Sequence, residues 1–276
     1  MVESSPWRGC CPAFATAPLA RYTADRVTSS PTASTLVVVA TYNEIENLPR
    51  LVEEIFRYAP DVDLLVIDDN SPDGTGQWCD ERARHDSRVS CLHRPAKLGL
   101  GTATLAGFRY ALERNYRWVV TMDADFSHDP RYLPALRQAV ERAEEPCDVA
   151  IGSRYVAGGG IAGWPRYRRW MSRGINAYAR WLLGLRVYDC SGAFRCYRCE
   201  LLRQIDLSQF RAKGYAYVEE ILWRLQHQRA IFREVPIVFV DRVRGTTKIN
   251  LAEAFQALML IARLAFARPG AARDEG

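Results

Sequence analysis

Five short apolar runs, each followed by a polar turn, constrain this chain more than any other feature. They occupy residues 35–40, 63–68, 89–92, 118–122 and 148–152. Runs of this length, rich in Val, Leu and Ile, suit strands buried on both faces of a parallel sheet. Helix-period segments lie between them. Ile45, Leu48, Leu51, Val52, Ile55 and Phe56 share one helical face, a second pattern runs from Gly101 to about Asn115, and Asp129-Pro130 caps and starts a third. Strand and helix alternating in this way predict a doubly wound, mostly parallel α/β sheet flanked by helices.

In such a sheet, ligands bind in the crevice beyond the carboxyl ends of the strands. Carboxylates recur at those ends: Glu44 after the first run, Asp68 and Asp69 after the second, Asp123 and Asp125 after the fourth. One acidic strand end is ordinary capping chemistry. Three on neighbouring strands converge on one crevice, where Asp123 and Asp125 can hold a hard cation such as Mg²⁺ or Mn²⁺ jointly with a diphosphate. The acids of the first two strands are then placed to recognise a base and a ribose. A dinucleotide oxidoreductase is excluded, because the turn after the first strand reads Ala40-Thr41-Tyr42-Asn43-Glu44 and lacks G-x-G-x-x-G. No Walker A loop occurs either.

The ordered motifs carry a resemblance. Thr41-Tyr42-Asn43-Glu44, the stretch from Asp68 to Thr75, Lys97-Leu98-Gly99-Leu100-Gly101, Met122-Asp123-Ala124-Asp125-Phe126-Ser127-His128, Ser153-Arg154-Tyr155, the stretch from Asp189 to Arg195 and that from Asp241 to Lys248 follow one another. Together they resemble dolichyl-phosphate (polyprenyl-phosphate) mannosyltransferases, GT-A-fold enzymes of glycosyltransferase family 2, over roughly residues 35–250. The resemblance implies inverting transfer of mannose from GDP-mannose to a dolichyl or polyprenyl phosphate, with Mg²⁺ or Mn²⁺ as cofactor. It implies that Ala40, Tyr42, Glu44, Ile67, Asp69 and Lys97 bind the nucleotide sugar. Asp123, Ala124 and Asp125 would hold metal and diphosphate, with Ser127 near the metal. Arg154, Arg242 and Lys248 would bind donor or acceptor phosphates. Asp123, Asp125, Arg154 and Arg242 form the expected catalytic set. Two departures stand out: Ala40 replaces the family's Pro, and Val218 stands where a polar Gln is common, while Glu220 keeps the acidic position. The alternatives are the same fold with UDP-glucose or another donor, and a non-catalytic module that binds nucleotide sugar or membrane.

Residues 1–33, rich in Ser, Thr, Pro and Ala, read as a flexible extension, 34–250 as the catalytic domain and 251–276 as an amphipathic helix and tail. No apolar run reaches the ~18–20 residues of a spanning helix. Glu3, Pro12 and Pro18 argue against a secretory signal. Between Ile151 and Tyr188 there are seven arginines and no acid, interleaved with Trp164, Tyr167, Trp170, Tyr178 and Trp181. Basic-aromatic segments bind nucleic acid or an anionic membrane surface. The resemblance favours the membrane and no nucleic acid, so the chain is expected to be peripheral on the cytosolic face, with a membrane partner subunit or a homo-oligomer as further partners. Eight cysteines lack scaffold spacing, and the lone pair Cys196 and Cys199 reads as packing thiols in a reducing compartment.

Overall fold

The structure, a computed structural model, describes residues 33–142, 144–241 and 251–266, the side chains of 251–256 excepted. In chain order the elements are β1 (Thr35–Thr41), α1 (Leu48–Tyr58), β2 (Asp63–Asp68), α2 (Thr75–His85), β3 (Val89–His93), α3 (Leu100–Glu113) and β4 (Trp118–Asp123). A 3₁₀ turn (Pro130–Tyr132) leads into α4 (Leu133–Glu141), followed by β5 (Val149–Ser153), β6 (Gly160–Ala162), α5 (Arg166–Leu183), β7 (Arg195–Arg198) and α6 (Cys199–Leu202). The described chain closes with α7 (Tyr217–His227), β8 (Phe232–Pro236), β9 (Val238–Val240) and α8 (Leu251–Ala265).

Seven strands form the main sheet in the order β3-β2-β1-β4-β7-β5-β8, and β6 pairs with β9 in a separate two-stranded sheet. The pairs β1–β2, β1–β4, β2–β3 and β5–β8 are parallel. The sheet is mostly parallel, as expected, and β7 is its antiparallel member, inserted between β4 and β5. Both faces of the sheet are covered, which is why β1 is apolar at successive positions rather than alternating. Leu36 and Val38 join a core layer with Phe108 of α3, Leu183 of α5, Ile221 of α7 and Ile261 of α8. Val37 and Val39 face the other layer, with Leu51 and Ile55 of α1 and Leu136 of α4.

The glycines that open α3 have a packing role. Gly99 sits at φ +97°, and a Cβ there would lie 2.4 Å from the Lys213 carbonyl oxygen. A Cβ on Gly101 would lie 2.8 Å from the Ala212 carbonyl, while its own N–H donates to the Lys213 carbonyl at 3.0 Å. These glycines therefore let the start of α3 press directly on the 212–214 backbone that precedes α7. Asp129 does cap, accepting from the Arg131 N–H at 2.9 Å, but it caps the 3₁₀ turn, and the helix behind it stops at Glu141.

Candidate active site

Strands β2, β1 and β4 are adjacent and parallel, so their carboxyl ends open on one edge of the sheet. The register aligns Ala40 with both Ile67 and Asp123, and Thr41 with Asp68. Three of the expected residues thus share one row across the cleft. Each of these strand ends turns through a left-handed residue: Asn43 at φ +58°, Asn70 at +59° and Phe126 at +62°. Asn tolerates this conformation, whereas an aromatic residue there carries backbone strain held by its surroundings.

The first two turns are sewn together. Asn43 N–H donates to Ser71 Oγ at 3.0 Å, Glu44 N–H to Thr75 Oγ1 at 3.0 Å and Ile45 N–H to Asp73 Oδ2 at 3.1 Å. Asp68 accepts from Thr41 Oγ1 at 3.2 Å and from the Ser71 N–H at 3.0 Å. Its carboxylate latches the loops, while the neighbouring Asp69 faces Arg94. Arg94 grips Asp69 with two nitrogens, Nη2 to Oδ2 at 2.6 Å, and reaches Thr102 Oγ1 at 2.7 Å. Arg94 was not among the expected site residues. Its signal was positional: β3 pairs His93 with Asp68, so the next residue on each strand meets its counterpart. Lys97 lies over the Tyr42 ring, 4.8 Å from its centroid.

On the third turn Asp125 is buried, and its Oδ1 accepts from both the N–H and the hydroxyl of Ser127, the N–H at 3.1 Å. Asp123 is more open, with a quarter of its side chain exposed. His128 is buried, accepts the Asp123 N–H at Nδ1 over 3.0 Å and stacks on Phe194 with centroids 5.1 Å apart. The site offers carboxylate and hydroxyl oxygens, a hard donor set that suits Mg²⁺ or Mn²⁺.

Arg154 follows β5 and is buried against Asp189. Its Nε and Nη2 donate to the carboxylate at 2.7 and 2.6 Å, and its backbone N–H adds a bond of 2.9 Å. Burial works against both charges, yet Arg154 holds the Asp189 carboxyl below the usual range and Asp189 raises the Arg154 pKa. Ser191 Oγ accepts from Arg154 at 2.8 Å and from Asn176 of α5 at 3.0 Å. Asn176 also accepts the Cys190 N–H at 2.6 Å, so α5 is tied directly to the Arg154 turn. A cavity of about 560 Å³ opens beside this network, lined by Arg154, Tyr155, Arg173, Asn176, Arg180 and Tyr188 among others.

Two further buried groups had no expected role, although Arg195 closes one of the motifs. Arg195 has no exposed surface and donates to the Val218 and Cys190 carbonyls, each at 2.7 Å. Glu219 is 4% exposed, one of its carboxylate oxygens has no hydrogen-bond partner among the described residues, and burial, opposed by Arg195, pushes its carboxyl up to about 7. Glu220 serves structure: it accepts the Arg211 and Ala212 N–H groups and pairs with Arg224 at 2.8 Å. Arg242 and Lys248 lie outside the described residues, as do residues 1–32. Cys196 and Cys199 are free and buried, as packing thiols should be.

Acidic strand ends beside two loops tied by hydrogen bonds form one cleft on the carboxyl edge of a mostly parallel sheet, and sequence comparison gives the class of protein that carries it. The sequence pattern of the glycosyl transferase family 2 matches residues 36–206, and the chain belongs to that family. It is 44% identical over 239 residues to the polyprenol monophosphomannose synthase of Mycolicibacterium smegmatis, covering 86% of this chain and 89% of that one. It is 43% identical over 241 residues to the undecaprenyl-phosphate mannosyltransferase of Micrococcus luteus, covering 87% and 96%. Among solved structures, glucosyl-3-phosphoglycerate synthase from Mycobacterium tuberculosis, in complex with Mn²⁺, UDP and glucosyl-3-phosphoglycerate, shares the fold with a TM-score of 0.57 at 21% identity over 87% and 81% of the two chains.

Proposed function

We propose that this glycosyltransferase transfers mannose from GDP-mannose to a polyprenyl or dolichyl phosphate, with inversion at the anomeric carbon. The observation that carries the reading is similarity of 43–44% to two mannosyl transferases or synthases of polyprenyl lipids over nearly the full length of each. The acceptor is a phosphate monoester, already anionic near neutral pH. Its oxygen forms the new bond to the anomeric carbon as the bond to the GDP oxygen breaks, and no protein base has to remove a proton. The residues instead align the two substrates and balance their charge. Ala40, Tyr42, Glu44, Ile67, Asp69 and Lys97 hold the nucleotide sugar, while Asp123, Ala124 and Asp125 face its diphosphate. Arg154, Arg242 and Lys248 hold phosphate oxygens of donor and acceptor. Asp123 and Asp125, with Ser127 fixing Asp125, would bind Mg²⁺ or Mn²⁺, which when bound neutralises charge on the departing diphosphate.

The acceptor's lipid tail calls for a membrane surface, and α5 supports one. Tyr167, Trp170, Met171 and Trp181 are each more than half exposed on that helix, beside Arg166, Arg169 and Arg173. Trp170, Ala177 and Trp181 recur at helical spacing, one stripe of the kind that sits at headgroup level. Among the described residues no helix is long and apolar enough to cross a membrane. Docking through α5 on a cytosolic face places the arginine-lined cavity next to the lipid headgroups. Residues 34–250 form the catalytic unit, residues 1–33 an extension and 251–276 an amphipathic helix and tail; a membrane partner subunit or a second copy would strengthen attachment.

Incubation with radiolabelled GDP-mannose, Mg²⁺ and polyprenyl phosphate, followed by organic extraction, tests the reading. Label in the lipid phase, competed by GDP and not by UDP, is expected. A lipid phase without label, or transfer from UDP-glucose instead, overturns it.

A further inference from the structure

The outer edge of the sheet carries a second constellation, remote in chemistry from the all-oxygen donors of Asp123, Asp125 and Ser127. β3 is the edge strand, and Cys91 and His93, two residues apart on it, point to the same side. α2 packs on that side and supplies Cys79 and Asp80 from adjacent positions. Ligand atoms of Asp80, Cys91 and His93 lie within 4.8 Å of one another. His93 Nε2 and Asp80 Oδ1 are 2.8 Å apart. The thiol of Cys79 is buried and donates at 4.0 Å to the carbonyl of Ser90, the residue before Cys91. Room for the imidazole comes from Gly76: a Cβ there would lie 3.0 Å from His93 Cε1 and 2.9 Å from Asp68 Oδ2.

We propose that Asp80, Cys91 and His93 form a zinc site, with water as the fourth ligand. One thiolate, one imidazole and one carboxylate are the three protein ligand types zinc prefers, and a soft sulfur discriminates against Mg²⁺. A tetrahedral ion with bonds of about 2.0–2.3 Å spaces its ligands by roughly 3.3–3.8 Å. Donor atoms already within 4.8 Å need only small side-chain rotations to meet that spacing. On binding, the Cys91 thiol releases its proton to solvent and His93 ligates as neutral imidazole. The ion cross-links α2 to the edge strand. It also braces His93, which packs beside Asp68, the latch of the nucleotide loops.

Co²⁺ titrated into the full chain with Mg²⁺ in excess at the oxygen site gives a direct readout. Expected are a thiolate-to-cobalt band in the near ultraviolet, visible bands of tetrahedral intensity, displacement of both by Zn²⁺, and one ion per chain. Cys91→Ser loses the near-ultraviolet band, and Asp80→Asn, a change at a partly exposed position, lowers Zn²⁺ affinity by at least the roughly 10–100-fold that losing even an outer partner costs. Asp125→Asn keeps the whole spectrum, which separates this site from the transfer reaction. A wild-type spectrum without the thiolate band, a band that survives in Cys91→Ser, or one that vanishes in Asp125→Asn overturns the assignment.

Discussion

Asp69 and Arg94 form a two-pronged ion pair at the ends of β2 and β3, with side chains only 8% and 5% exposed. Removing one partner leaves the other charged, buried and unpaired, which costs about 3–5 kcal/mol. Arg94→Ala is therefore expected to lower unfolding free energy by that order, measured by urea denaturation. Arg94→Lys keeps the charge but loses the fork, and it should fall between the two. The double variant Asp69→Asn with Arg94→Met is expected to recover much of the stability while remaining defective in nucleotide-sugar binding. Equal stability of Arg94→Ala and wild type would remove the pair from the account of the site.

Ser127 touches Asp125 through two bonds to the same oxygen. Ser127→Ala removes the hydroxyl contact without disturbing the core, so it acts on the aim of the carboxylate. The expected result is a higher metal concentration for half-maximal transfer, with kcat largely restored at saturating metal. On the proposed reading, Asp125→Asn removes a metal ligand itself. Losing several kcal/mol of charge stabilisation corresponds to about 100-fold or more in turnover, and excess metal should not restore it. A Ser127→Ala enzyme whose kcat stays low at every metal concentration would point to a different role for the hydroxyl.

Much of this arrangement was readable from the chain because a parallel sheet writes itself in short apolar runs. β2 occupies 63–68, the stretch its Leu, Val and Ile content marks out, and the convergence of Glu44, Asp69 and Asp125 follows from adjacency of three parallel strands. β7 was not readable. Its sequence, Arg195-Cys196-Tyr197-Arg198, has charged ends, and the buried Arg195 donates to the Cys190 carbonyl just before the strand and to the Val218 carbonyl in α7. Nor does any apolar period mark where the chain leaves the main sheet after Pro236 and pairs Val238 to Val240 with β6. Pairings set by tertiary approach, such as Asp69 with Arg94 or Arg154 with Asp189, leave no periodic trace.

Gly99 offers a test of the α3 packing. Its φ of +97° is strained for any L side chain, and a Cβ would collide with the Lys213 carbonyl at 2.4 Å. The backbone term alone costs on the order of 1–3 kcal/mol. Gly99→Ala is expected to lose at least that much in thermal or urea unfolding. The 212–214 segment would be forced away from α3, so proteolysis there should quicken. A neutral Gly99→Ala would show that this contact yields freely.

Trp170 and Trp181 are 71% and 79% exposed, so replacing them leaves the fold intact. Two aromatic anchors withdrawn from a membrane surface lose roughly 2–3 kcal/mol, about 30–160-fold in partitioning. The pair Trp170→Glu with Trp181→Glu is expected to bind liposomes containing polyprenyl phosphate that much more weakly. Transfer to a water-soluble, short-chain acceptor should be nearly unchanged. Sedimentation with vesicles reads the first quantity, and unchanged partitioning would remove α5 as the docking surface.

Glu219 sets a pH dependence whose sign can be worked out. Burial raises its folded-state pKa to about 7 from the ordinary 4.5, with Arg195 opposing the rise. Between those values the folded chain holds a proton that the unfolded chain has released. Stability from this group is therefore complete below about pH 4.5 and declines as pH rises, levelling off above about 7. The full difference is of order 3 kcal/mol. Glu219→Gln is isosteric and cannot ionise, so its unfolding free energy should lose this decline and exceed that of wild type at pH 8. The comparison requires urea denaturation at several pH values, with the difference between the two proteins isolating this one group from every other titration. A difference that stays flat between pH 5 and 8 would mean that Glu219 ionises freely in the fold.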